Sequence, residues 1–141
     1  MIPTRLSFAS RLVLVGVGLS LLGLLLTAKS LTPDPRGFGT HEQLGLTPCS
    51  FYRWTGHLCP TCGATTAWAH SMRGELAAAA NANLAGTLLC FAGVIAVPWL
   101  LASASIGRWW VIKPTIRGVL VVGSGLMVIA ILDWIRRVWF S

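Results

Sequence analysis

Three apolar stretches, at about residues 9–28, 84–104 and 115–134, are each long enough to cross a hydrocarbon core as a helix, which takes roughly 20 residues. A segment in lipid must pair its own backbone polar groups, and a helix does this within one segment. The rest of the composition agrees. With 55% hydrophobic and 11% charged residues and a mean hydropathy of +0.72, the chain has too little polar surface for a water-soluble globule. The expected fold class is an all-α membrane protein of three transmembrane helices. Residues 1–141 form a single membrane domain, with one sizeable polar segment at about 29–83 between the first two spans.

The first span follows Arg5 and Arg11 as a signal peptide would, but Leu26-Thr27-Ala28-Lys29-Ser30 lacks small residues spaced for cleavage, so an uncleaved anchor is expected. Gly86, Gly93 and Pro98 interrupt the second span, and Gly118, Gly123 and Gly125 the third. Small residues of this kind let neighbouring membrane helices approach closely. Cys90, inside the second span, reads as a small apolar core residue. Short, glycine-rich spans also make other membrane subunits, or a second copy, the natural protein partners beside the lipid bilayer.

Insertion responds to basic residues near span ends. Arg108, Lys113 and Arg117 crowd the connection between the second and third spans, and Arg5 and Arg11 precede the first. Both observations place those ends in the cytoplasm, with the 29–83 segment and the C terminus outside; Arg136 and Arg137 near the C terminus run against this assignment. The formal net charge of +7 is accounted for by these flanks meeting anionic headgroups. No basic helix or stacking platform stands free of the membrane, so no nucleic-acid partner is expected. Trp54, Trp109, Trp110, Trp134 and Trp139 suit an interfacial belt, where an indole is half buried and its N–H wet.

Within the polar segment, residues 31–41 are studded with Pro and Gly and read as irregular loop. Helix signals begin at Cys59, with Pro60 suited to the first helical position. Thr61 to Met72 then shows a helical period, and after Gly74 a second strong helix former, residues 75–80, leads into the second span. Arg73, Glu75 and His70 would be costly in mid-bilayer, so this pair is expected as an interfacial or re-entrant helix carrying the Cys59-Pro60-Thr61-Cys62 motif. His70 and Arg73 are candidate headgroup or substrate contacts on its polar face. Asp133 is expected to pair with Arg136 or Arg137 at helical spacing.

Thiols at a helix start feel the positive end of the dipole, which predicts a lowered pKa for both Cys59 and Cys62. Three chemistries remain open. Thiolates two residues apart share one tetrahedral ion, and Cys49 with His41 or His57 would complete a shell that zinc or another thiolate-bound metal accepts. His70 lies too far along the helix from Cys62 to join it. A disulfide from Cys49 to Cys59 or Cys62 would staple the loop. Thiol–disulfide exchange would use Cys59 and Cys62, though no strand and helix alternation supports a thioredoxin domain. Nothing resembles a phosphate loop, a serine triad or a paired-carboxylate site, so enzymatic activity has no direct support.

The run Thr55-Gly56-His57-Leu58-Cys59-Pro60-Thr61-Cys62-Gly63-Ala64-Thr65-Thr66-Ala67, followed by Gly74-Glu75 and Ala82-Asn83, resembles an uncharacterised family of small bacterial multi-pass membrane proteins. That family carries a TGxxCPxCGxT(R)A cysteine signature and is a domain of unknown function. Residues 33–49 are similar to one branch of it, and together these cover about the middle third of the chain. Thr66 stands where many members have arginine, and Leu84 where many have proline. Cys49, Cys59, Cys62, Gly63 and Thr65 match. The resemblance implies a multi-pass protein of the bacterial inner membrane and singles out those cysteines together with His41; His57 lies outside the pattern, which favours His41 as fourth ligand. The expectation is a binding or accessory component with an extracytoplasmic Cys/His site, and the alternative is a thiol–disulfide oxidoreductase using Cys59 and Cys62.

Overall fold

The computed structural model describes residues 5–140, which are all-helical, with no strand among them. Three helices are long and apolar enough to cross a membrane: α1 (Phe8–Ser30), α5 (Leu84–Ile106) and α6 (Ile116–Trp139). They coincide with the three expected spans, except that α6 runs five residues beyond 134. Asp133 explains the extension. It forms ion pairs with Arg136 and Arg137, at 2.9 Å each, one helical turn ahead, so the charged last turns stay helical where hydropathy alone would end them.

Between α1 and α5 the chain makes a 3-10 turn (Thr40–Leu44) and three short helices, α2 (Ser50–Thr55), α3 (Ala64–Ser71) and α4 (Leu76–Ala82). Ser7 caps α1 by accepting from the Ser10 amide, and Asn83 and Thr115 cap α5 and α6 in the same way. Such caps satisfy donors that a helix start leaves unpaired.

α1 packs along α5, where Gly18 lies against Leu101 and Gly93 against Leu21. The buried core is Leu25, Cys90 and Val97, closed by Leu21, Leu22, Leu101 and, from the polar segment, Trp68 and Met72. Cys90 is thus the core residue its surroundings in sequence suggested. At one end of the pair, Arg11 donates from Nε to the Ala104 carbonyl (2.6 Å), and the Leu6 amide donates to that of Gly107 (2.8 Å). α3 and α4 fill the opposite end. α6 presents Val119, Leu120, Val121 and Val122 outward, as a helix facing lipid does.

One expectation about the motif fails. The helix does not begin at Cys59 with Pro60 in its first turn; residues 60–63 form a turn and α3 starts at Ala64. Gly63 takes φ +84°, a left-handed conformation that interrupts any helix running through it. The two cysteines therefore lie on the turn that leads into α3 and not on the helix.

Candidate metal centre

The turn from Leu58 to Gly63 is held almost entirely through its backbone carbonyls. Asn83 Nδ2 donates to the carbonyls of Pro60 (3.2 Å) and Cys62 (3.0 Å), while its Oδ1 caps α5 through the Gly86 amide (2.7 Å). Arg137, near the end of α6, reaches the same two oxygens, with Nη1 on Cys62 (2.8 Å) and Nη2 on Pro60 (3.1 Å). Its Nε donates to Asp133 Oδ2 (2.9 Å), which also accepts from the Leu84 amide (3.2 Å). Trp134 Nε1 donates to the Leu58 carbonyl (2.6 Å). Asn83, Asp133 and Arg137 are all buried; each finds the partners that burial of a polar group demands.

With the carbonyls turned toward Asn83 and α6, the sulfur atoms are left free. The Sγ atoms of Cys49, Cys59 and Cys62 all lie within 4.8 Å of one another, with Cys59 and Cys62 at 3.0 Å. All are free thiols; Cys62 is buried and the other two are half-buried. They face a cavity of about 670 Å³ that Arg36, Phe38, His41, Tyr52, Arg53 and Thr65 help to line. Its floor includes Thr66, whose hydroxyl pairs with that of buried Thr40 at 2.8 Å. This is the position where related sequences were expected to carry arginine.

His41 shares the cavity, but its Nε2 lies 3.3 Å from the Thr47 carbonyl and its ring is not among the clustered donors. His57 follows α2 in an exposed turn. His70 Nδ1 pairs with Glu75 at 2.5 Å, and Arg73 donates to the Ala69 carbonyl at 2.8 Å, so both polar groups are engaged within the α3–α4 corner. Asn83, Arg137 and Trp134 had not been marked as site residues.

The thiols are electrostatically unequal. Burial opposes charge on Cys59, yet hydrogen bonds from Thr61, Cys62 and Cys49 outweigh it and bring the thiol down to about 7. At Cys62, burial and the bond to Cys59 act together and push the thiol up to about 12. The expectation that both are lowered is corrected here: the two sulfurs share one hydrogen bond of 3.0 Å, which favours the thiolate on Cys59 and disfavours it on the more buried Cys62.

Residues 49–101 match the family model described as protein of unknown function (DUF2752). The expected resemblance to an uncharacterised family is borne out over these residues. The DUF2752 match runs from Cys49 to Leu101, and so includes all three clustered cysteines, Asn83 and most of α5, while α1 and α6 lie outside it. No curated protein and no solved structure matches the chain.

Proposed function

We propose that this chain is a metal-binding or accessory component of a bacterial inner membrane. In this reading, Cys49, Cys59 and Cys62 take up a thiophilic metal ion at the extracytoplasmic lipid–water boundary. The observation that carries it is the convergence of three sulfur atoms within 4.8 Å from two separate segments of chain. A structural disulfide needs two sulfurs, not three. His41, on the wall of the same cavity, is the fourth ligand that a tetrahedral zinc site would recruit. Ligation requires the thiols to lose their protons, and burial together with the bond to Cys59 holds the proton on Cys62.

Elemental analysis with a thiol count on detergent-purified protein tests the reading. About one metal ion per chain is expected, absent from Cys59→Ser and Cys62→Ser protein of normal abundance. The alternative, exchange between Cys59 and Cys62, requires instead a metal-free wild type and a mixed disulfide trapped on Cys59 in Cys62→Ser. Loss of membrane abundance in every cysteine variant, with no metal in the wild type, would leave the cysteines a purely structural role.

A further inference from the structure

Resting on the metal-binding reading, we infer that the ion is a soft monovalent cation of the copper(I) class, held by the three thiolates of Cys49, Cys59 and Cys62 alone. The donor set is the first reason. Among the described residues, no histidine nitrogen or carboxylate oxygen joins the three sulfurs, and His41 is turned to a backbone carbonyl. Structural zinc is closed by four ligands, and catalytic zinc sites with an open position carry nitrogen or carboxylate among their three. An iron–sulfur cluster takes four cysteines. Calcium and magnesium require oxygen. Three thiolates and nothing else suit a soft d10 monovalent ion, for which thiolate selects.

The cavity is the second reason. A structural ion is enclosed by its ligands, whereas these sulfurs border a space of about 670 Å³, far more than one ion fills. An ion there has an approach on one side, along which a carrier thiol could attack and exchange ligands. Three thiolates around a monovalent ion leave more negative charge than around a divalent one. Arg53 lines that same cavity, and a guanidinium offsets such charge; Arg36 and Glu42, which also line it, are paired with each other, and Arg36 with Asp34 as well. The turn is also held in place before any ion arrives, because Asn83 and Arg137 fix the carbonyls of Pro60 and Cys62. Binding then replaces thiol protons, released to solvent, with one metal ion, and no change of oxidation state is involved.

Full-length protein, reduced and purified in detergent under anaerobic conditions, is titrated with copper(I) against the chromophoric chelator bicinchoninate. A parallel titration uses zinc(II) against a zinc indicator. The expected result is one copper(I) per chain with three sulfur neighbours and no nitrogen or oxygen neighbour in X-ray absorption. Affinity should fall by more than about tenfold in each cysteine-to-serine variant that remains monodisperse and be unchanged in His41→Ala. Tight zinc binding that His41→Ala abolishes, or a nitrogen neighbour on bound copper, overturns the copper(I) assignment and leaves the metal-binding reading standing. Retention of neither ion by the wild type overturns both.

Discussion

Gly63 holds φ +84°, and a Cβ built on it would lie 2.5 Å from the carbonyl oxygen of Ala82 and 2.8 Å from that of Gly37. Both neighbours are backbone, so neither can swing aside. The left-handed conformation alone costs an ordinary residue about 1–2 kcal/mol, and the overlap adds to it. Gly63→Ala is therefore expected to lower thermal stability in detergent by more than Gly56→Ala, which has a similar φ but open space around it; equal losses would show that the close approach at residue 63 is not needed. The thiols next to this glycine offer a second test. In reduced, metal-free protein, Cys59 titrates near 7 and Cys62 near 12, and only the thiolate is nucleophilic. Alkylation followed residue by residue by mass spectrometry should rise for Cys59 through neutral pH, while Cys62 remains unmodified. If the two react in parallel, or Cys59 waits until pH 9, the hydrogen-bonded pairing of these sulfurs is wrong.

At the scale of elements, α6 is tied to the cysteine turn by side chains more than 70 residues away in sequence. Asp133 and Arg137 form a buried ion pair, and removing one partner of such a pair strands the other charge at a cost of about 3–5 kcal/mol. Arg137→Met is expected to be strongly destabilising, and the double variant Asp133→Leu, Arg137→Met less so, in thermal unfolding read by tryptophan fluorescence. Additive losses in the double variant would mean that the two side chains do not act as a unit. The pairing of Asp133 with Arg136 and Arg137 was legible in sequence because it is local, three and four residues along one helix. That Arg137 also donates to Cys62 was not, because nothing local links residue 137 to residue 62. The spans were legible for the same reason as the ion pair: hydropathy is a property of contiguous residues. Cys49, Cys59 and Cys62 stood out by residue type, but the start of α3 was misplaced. Pro60 is a good first helical residue, and the tertiary contacts at Gly63, invisible in sequence, override it.

The molecule as a whole has two unlike ends. Contacts of Arg11 with Ala104 and of Leu6 with Gly107 put the start of α1 beside the end of α5, together with Arg5, Arg108, Lys113 and Arg117 and no acidic residue. The contact of Arg137 with Cys62 puts the end of α6 beside the cysteine turn, at the end that holds Asp34, Glu42, Glu75 and Asp133. Basic residues are more numerous there, Lys29, Arg36, Arg53, Arg73, Arg136 and Arg137 against Arg5, Arg11, Arg108, Lys113 and Arg117, but Arg36, Arg136 and Arg137 are bound up in ion pairs; Arg36 in turn holds the Asp34 carboxyl below the usual range. Orientation in the bilayer is set by basic residues in short connections flanking the spans, and Arg108, Lys113 and Arg117 crowd the short α5–α6 connection, with Arg5 and Arg11 before or at the start of α1. If that end faces the cytoplasm, the single crossing of α1 carries the cysteine turn outside, and three crossings bring the end of α6 to the same side. A membrane-impermeant maleimide added to intact cells should then label Cys59 in the wild type, and neutralising Arg108, Lys113 and Arg117 together should leave a fraction of chains inverted and unlabelled until the membrane is broken. Wild-type Cys59 that reacts only after lysis would reverse the orientation and place the sulfur cluster in the cytoplasm.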